Sequence, residues 1–209
     1  LMTRKAAFEA VEKVFGAMAS GDAYNFPVVR EAIGHADALY GFKGGFDRSG
    51  PVLGVKAGGY WPHNLETRGI INHQSTVFLF EADTGRVHAV VGGNLLTALR
   101  TAAASSVSIA HLARRDARVL GMIGAGHQAA FQLRAALEQR DFGRVIGWNY
   151  HPEMLPKLAS VAEEAGVPFV SVSTGGWDTR RDTRARLQDN LPPPRDQGPS
   201  ALLDGLDAQ

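Results

Sequence analysis

The stretch GMIGAGHQAAFQ, residues 121–132, decides the fold. A short apolar run (119–123) leads into Gly124-Ala-Gly126, and an alanine-rich segment follows. This order predicts a strand, a tight glycine turn and a helix, as in dinucleotide-binding sites. Gly124 would let the chain turn sharply, and Gly126 would let a pyrophosphate approach backbone N–H groups at the helix N-terminus. The last position of the pattern is Ala129, which the fingerprint allows; the alternative is an ordinary glycine turn of an α/β protein.

The segments on both sides of this turn predict half of a doubly wound domain. The predicted strands cover 119–123, 144–149 and 167–172, and the predicted helices cover 127–140 and 153–165. Gly166 suits the end of the second helix. The order β-α-β-α-β is that of half a nucleotide-binding domain. An alanine-rich helix over 94–113 precedes it, with Asn94 as its N-cap and Arg114 and Arg115 at its C-terminal end.

The first ninety or so residues predict a different kind of α/β unit. Its predicted elements are a helix over 4–19 ending at Gly21, a loop with Pro27 and Arg30, glycine-broken strands in 38–46 and 51–61, a loop over 62–69, and a hairpin of 77–80 and 87–91 turning at 83–85. We therefore expect a domain over 1–113, including the connecting helix, and a partial Rossmann domain over 114–174. Residues 175–209 are rich in Arg, Asp and Pro, and we expect them to be disordered.

Composition excludes several functional classes. The chain has 209 residues, no cysteine and a formal net charge of +1. Disulfides, thiolate metal sites and cysteine nucleophiles are therefore excluded, and no strong attraction to nucleic acid or membranes is expected. No apolar run approaches the roughly 20 residues of a membrane span, and the sequence favours a cytoplasmic protein. We interpret His73 and His127 as hydrogen-bonding loop residues, and we predict no metal site, because no second ligand lies at metal spacing.

The residue that ends the second predicted strand bears on the choice of cofactor. An acidic side chain usually grips the ribose 2′-hydroxyl at this point, but Asn149 stands here, followed by Tyr150 and His151. Asparagine can still hydrogen-bond a ribose, and losing the carboxylate removes repulsion toward a 2′-phosphate. His151 or Arg144 would assist there. The sequence predicts an NAD(P) cofactor, with a lean toward NADP(H).

Three segments together closely resemble the ornithine cyclodeaminase/μ-crystallin family: GVKAGGYWPHN, GIINHQSTVFLFEADTG, and the arginine-threonine-alanine helix that runs into the glycine turn. The resemblance covers about 5 to 172. It implies a two-domain α/β subunit, with an N-terminal domain that dimerises and forms the substrate floor and a Rossmann domain that binds NAD(H) or NADP(H). Family reactions pass a hydride between nicotinamide and the α-carbon of an amino acid or its imine, which implies a small amino-acid or imino-acid substrate and a homodimer.

The resemblance also implies roles for single residues. Arg30 and Arg100 correspond to the arginines that bind the substrate carboxylate, a task suited to planar bidentate donors. Lys56 corresponds to the active-site lysine, which can deliver a proton to an imine. The cofactor-contacting positions are Asn72, where the family has threonine, Arg100, Gly124, Gly126, His127, Gln128 and Asn149. Without the resemblance, the alternatives are a solvated strand residue for Lys56 and a surface cation for Arg100.

The resemblance stops after Thr174, and several functions stay open. The family's aspartate that acts on the substrate amine has no match in the tail, including Asp178 and Asp189. We therefore expect a truncated or frame-shifted end, weak cofactor binding and slow or absent turnover. The leading interpretation is reduction of a linear or cyclic ketimine such as Δ1-pyrroline-2-carboxylate. The alternatives are cyclodeamination of L-ornithine to L-proline and ammonia, and a non-catalytic NADP-binding, crystallin-like role.

Overall fold

The computed structural model describes residues 2–172 as two β-sheets joined by one long helix. The antiparallel sheet contains β1 (Ala23–Asn25), β2 (Val29–Ala32), β3 (Leu39–Asp47), β4 (Val52–Tyr60), β5 (His73–Phe80) and β6 (Val87–Gly92). The parallel sheet contains β7 (Val119–Ile123), β8 (Arg144–Trp148) and β9 (Phe169–Val172). The helices are α1 (Arg4–Ser20), α2 (Asn64–Arg68), α3 (Gly93–Leu112), α4 (Ala129–Leu137) and α5 (Leu155–Glu164). This arrangement confirms the predicted α/β class. The predicted tail over 175–209 lies outside the described residues.

The antiparallel sheet has the order β1-β3-β4-β5-β6, with β2 also paired to β3. The sequence prediction of a loop around Arg30 is wrong, because β2 pairs with β3 and places Arg30 opposite Gly41. A side chain at Gly41 would meet the Val29 carbonyl oxygen at 1.9 Å, so the glycine lets β2 approach. The short strand was missed because exposed residues on both of its faces leave no alternating pattern.

The parallel sheet has the order β7-β8-β9 and a small, closely packed core. Leu133 of α4 and Val145 of β8 are fully buried, and Leu158 and Ala162 of α5 pack against them. Helices α4 and α5 thus bury their apolar faces on the sheet. Gly166 follows α5 in the left-handed conformation (φ 73°), as predicted for its end. Within residues 2–172, β7 and β9 are the outer strands of this sheet, and Ile123 at the end of β7 is 87% exposed.

Helix α3 connects the two sheets, and its ends differ from the predicted ones. Asn94 is not the N-cap, because the helix begins at Gly93. Its amide accepts a hydrogen bond from the Ser75 N–H (2.8 Å) and donates one to Gln74 (3.0 Å), which fastens the helix to β5. The local sequence predicts Asn94 as a cap, but its side chain bonds to a neighbouring strand instead.

The C-terminal half of α3 is held by the parallel-sheet unit. Ser106, which is buried, donates a hydrogen bond to the Ala135 carbonyl of α4 at 2.9 Å. Arg140, which follows α4, donates to the carbonyls of Ile109, Ala110 and Ala113 at 3.0, 3.0 and 3.2 Å. Arg140, instead of the predicted Arg114 and Arg115, thus satisfies the carbonyls at the end of the helix. In the described part of the chain, every helix is too short or too polar to cross a bilayer.

Candidate active site between the antiparallel sheet and the connecting helix

A cleft of about 140 Å³ opens on one face of the antiparallel sheet. The basic side chains that line it are those of Arg30, Lys43, Lys56 and His73. Strand register explains why they meet: Lys43 lies directly opposite Lys56, and Tyr60 lies opposite His73. Because side chains alternate between the two faces of a sheet, residues in these registers point to the same side. The cleft is therefore built to attract an anion.

Lys56 lies at the centre of β4 and faces α3. Its Nζ donates a hydrogen bond to Thr97 Oγ1 at 3.4 Å. Partial burial lowers the pKa of Lys56 from its ordinary value, and the nearby positive charges of Arg100 and Lys43 lower the pKa further. Lys56 thus holds its proton less tightly than a surface lysine does. This property suits a group that gives a proton to a substrate nitrogen.

His73 marks the point where the two sheets approach each other. It lies in β5, so its interpretation as a loop residue is wrong. Burial lowers the pKa of His73, as do the charges of Lys56, Arg100 and His127, while a backbone hydrogen bond with Gly59 opposes the shift. His127 follows the glycine turn, so this turn lies close enough for one of its neighbouring residues to act on His73. His73 Nε2 is buried and has no hydrogen-bond partner within residues 2–172, so a ligand atom can satisfy it.

The glycine turn has the conformation that its sequence predicts. Gly124 is left-handed (φ 98°), and its N–H donates to the Trp148 carbonyl at 2.7 Å. A Cβ built on Gly126 meets nothing within 4 Å, so open space lies over its backbone. Gln128 Oε1 is buried and has no partner in the described part of the chain. Helix α4 begins at Ala129. These features fit a dinucleotide, with its pyrophosphate against Gly126 and the N-terminal end of the helix.

Asn149 already has internal hydrogen-bond partners. Its Oδ1 accepts from the Ala125 N–H (3.1 Å), and its Nδ2 donates to the His151 carbonyl (2.7 Å). The side chain therefore ties the end of β8 to the glycine turn. The expectation that Arg144 assists a 2′-phosphate is wrong. Arg144 is the first residue of β8, which places it about 13 Å from the carboxyl end of the strand, at roughly 3.3 Å per residue.

Asn72 has a similar structural position beside the cleft. Its Oδ1 accepts from the Leu65 N–H (2.8 Å), and its Nδ2 donates to the Pro62 carbonyl (2.9 Å) and to the Tyr60 hydroxyl (3.3 Å). These bonds hold the segment between β4 and β5 in place. A contact from this amide to a cofactor would have to exchange one of them.

The structure brings part of the predicted site together. Arg30 and Lys56 line the cleft, Arg100 acts on the pKa of Lys56, and His127 and Gln128 follow the glycine turn. Sequence reasoning missed Lys43 as a lining residue. The signal was the hairpin of β3 and β4, whose register sets Lys43 opposite Lys56. Within residues 2–172, no group of three or more His, Asp or Glu side chains could hold a metal ion.

Comparison with known proteins places this architecture in a family. The sequence model of the ornithine cyclodeaminase/mu-crystallin family matches residues 2–176. The chain is 64% identical over 193 residues to the iminosuccinate reductase of Paracoccus denitrificans, which covers 92% of the chain and 60% of that protein. The crystal structure of the Paracoccus denitrificans enzyme in complex with NAD+ superposes with a TM-score of 0.77 at 70% identity, over 83% of this chain and 53% of that one.

Two more distant structures share the fold. The Δ1-pyrroline-2-carboxylate reductase of Thermococcus litoralis, in complex with NADH and L-proline, gives a TM-score of 0.77 at 27% identity, over 84% of this chain and 54% of that one. An archaeal alanine dehydrogenase dimer with bound NAD gives 0.76 at 28% identity, over 83% and 52%. The chain thus spans between half and three fifths of the length of these relatives. From the match to the family model and the shared fold, the chain belongs to the ornithine cyclodeaminase/mu-crystallin family.

Proposed function

We propose that the protein reduces α-imino acids with a nicotinamide cofactor, and that its substrate is iminosuccinate. The observation that carries the proposal is the basic cleft of Arg30, Lys43, Lys56 and His73. In the balanced reaction, iminosuccinate, NADH and one proton give aspartate and NAD+. The high identity to the Paracoccus denitrificans enzyme supports this substrate over a cyclic ketimine.

Each of the basic residues has its own role in this reaction. Arg30 and Arg100 bind the α-carboxylate of the substrate and orient its planar imine. Lys56, whose pKa is lowered, donates a proton to the imine nitrogen and so forms the new N–H bond. Bound NADH supplies the hydride that forms the C–H bond at the α-carbon. Solvent then returns a proton to Lys56. The imidazole of His73 presents Nε2 to the ligand for a further hydrogen bond.

The cofactor would be held by the glycine turn, with NAD(H) as our first choice. The preference for NADP(H) that the sequence predicts rests on the missing carboxylate at Asn149, with His151 or Arg144 to assist, and Arg144 lies at the other end of β8. His151 Nδ1 lies 3.2 Å from the Glu153 carboxylate, which would repel a 2′-phosphate. Titrating the chain with NADH and NADPH and following nucleotide fluorescence tests the choice. Tighter binding of NADPH than of NADH would show that the site prefers NADP(H).

The substrate assignment is tested by turnover. Oxaloacetate mixed with ammonium forms iminosuccinate, and we expect NADH oxidation, slow in this chain, that depends on both compounds and yields aspartate. Pyruvate with ammonium serves as the monocarboxylate control. Faster reduction of Δ1-pyrroline-2-carboxylate would support a cyclic ketimine reductase, and proline formed from L-ornithine with NAD+ would support a cyclodeaminase. Cofactor binding without turnover of any of these substrates would support a crystallin-like role.

We also propose a homodimer that uses the face of the sheet opposite the cleft. Val55, Phe78 and Val90 are aligned on that face by strand register, and Phe42 lies nearby on β3. Phe42 is 48% exposed and Val90 is 60% exposed, and an apolar face of this kind favours association. Light scattering should give the mass of two chains. Val90→Asp should shift the mass to that of one chain, and a monomeric parent chain would refute the proposal.

A further inference from the structure

Lys43 extends the basic character of the cleft beyond the residues that an imino acid requires. It lies on β3 directly opposite Lys56, and both lysines also line a second, open depression of about 240 Å³ with Gly45 and Gly54. The Lys43 side chain is exposed, and no carboxylate within residues 2–172 pairs with it. Its ammonium group is therefore available to a ligand in the cleft.

The pairing of these two lysines is unfavourable without an anion. Like charges directly opposite each other on neighbouring strands destabilise a sheet, and Lys43 contributes to the lowered pKa of Lys56. Among the residues facing this pair, Arg30 and His73 also line the cleft, and Arg100 approaches Lys56 from α3. None of these groups is acidic. A ligand with one negative charge compensates only part of this positive charge, whereas a ligand with two compensates more of it.

The geometry suits two anionic groups at the two ends of a short ligand. Neighbouring strands lie about 4.8 Å apart, which is comparable to the separation of the carboxylates in a four-carbon diacid. In the proposed function, Arg30 and Arg100 bind the α-carboxylate, and Lys56 serves the imine nitrogen. These assignments leave Lys43 without a role in a monocarboxylate substrate.

We propose that Lys43 binds the second carboxylate of a dicarboxylic substrate and thereby makes the cleft selective for four-carbon diacids over monocarboxylates. This assignment rests on the proposed function for the placement of the α-carboxylate. Lys43 supplies a charge-assisted hydrogen bond to the far end of the ligand, and it takes no part in the transfer of the proton or the hydride.

Binding of unreactive ligands tests the assignment without requiring turnover. Calorimetry would compare succinate with butyrate, which lacks one carboxylate, on the parent chain and on Lys43→Met, Lys43→Arg and Lys157→Met. Lys157 is an exposed lysine of α5, remote from the cleft, and it provides the matched control. Circular dichroism and urea unfolding would establish that each variant is folded.

We expect the parent chain to prefer succinate, and Lys43→Met to weaken succinate binding about tenfold while butyrate binding stays unchanged. Lys43→Arg should keep most of the preference, and Lys157→Met should keep all of it. The assignment is overturned if the parent chain shows no preference, or if Lys43→Met leaves succinate binding intact or weakens both ligands equally. A preserved preference without NADH oxidation by oxaloacetate and ammonium would refute the proposed reaction and uphold the role of Lys43.

Discussion

Two alanine substitutions in the glycine turn should distinguish the effect of backbone conformation on stability from the effect of a side chain on cofactor binding. At Gly124 the backbone has φ 98°, which costs an L-residue about 1–2 kcal/mol. Replacing glycine also lowers the entropy of the unfolded chain, which returns about 0.4–1 kcal/mol. We therefore expect Gly124→Ala to lower the free energy of unfolding by about 1 kcal/mol.

Gly126→Ala should act in the opposite way. Its backbone is not left-handed, and a Cβ there meets nothing within 4 Å, so the fold can accept the methyl group. The same unfolded-state term should make this variant equally stable or up to about 1 kcal/mol more stable. The methyl group would occupy the space assigned to the pyrophosphate. We expect NADH affinity to fall at least about tenfold, the equivalent of one displaced hydrogen bond to a charged group.

Urea unfolding and fluorescence titration with NADH measure the two effects separately. Gly124→Ala should lose stability, and Gly126→Ala should lose cofactor affinity while keeping its stability. If Gly126→Ala binds NADH as the parent chain does, the pyrophosphate does not lie against Gly126. If Gly124→Ala unfolds at the same urea concentration as the parent chain, the left-handed backbone at Gly124 does not carry the expected cost.

Three further predictions concern charged and titratable groups. Lys56→Met should cut turnover at least about 100-fold, which is the minimum effect of a lost general acid. The same variant should raise the urea midpoint of unfolding at pH 7, because the folded state disfavours the charged lysine. A lowered midpoint would contradict this account. Because the pKa of His73 is lowered in the folded state, the unfolded chain binds more protons than the folded chain below about pH 6.5. The free energy of unfolding should therefore fall as the pH is lowered from about 7.5 to about 5.5, and His73→Gln should reduce that fall in urea titrations. Arg140→Met should lower the free energy of unfolding in urea by about 2 kcal/mol, because the carbonyls at the end of α3 lose a charged donor. The control Arg114→Met breaks only an exposed ion pair and should change this free energy by less than about 0.5 kcal/mol. Equal losses in the two variants would refute the capping role.

The sequence predicted well those elements whose signal is local. The glycine turn, the strands of the parallel sheet and the end of α1 at Gly21, which is left-handed with φ 83°, follow from backbone requirements and apolar periodicity. Predictions failed where a partner distant in sequence decides. Asn94 bonds to β5 instead of capping its own helix, and Arg140 reaches α3 from about 30 residues away.

The candidate site shows the same division. Lys56 was identified through the resemblance of its surroundings, and the structure places it in the cleft with Arg30. Lys43 carries no motif of its own, and its relevance arises only from the register between β3 and β4. Asn72 and Asn149 were expected to contact the cofactor, yet their amides hold backbone segments in place. Side-chain chemistry alone could not show that these amides already had partners.

Helix α3 offers a natural crossover point for recombination between relatives. Its N-terminal half carries Thr97 to the cleft, and its C-terminal half is bonded to the unit that contains the glycine turn. The antiparallel sheet supplies Arg30, Lys43 and Lys56, whereas the glycine turn belongs to the parallel-sheet unit. Chimeras joined just before α3 would therefore exchange the basic cleft and retain the glycine turn. If the proposed function holds, selection on one half could change which acid is bound while the turn proposed to bind the cofactor is kept.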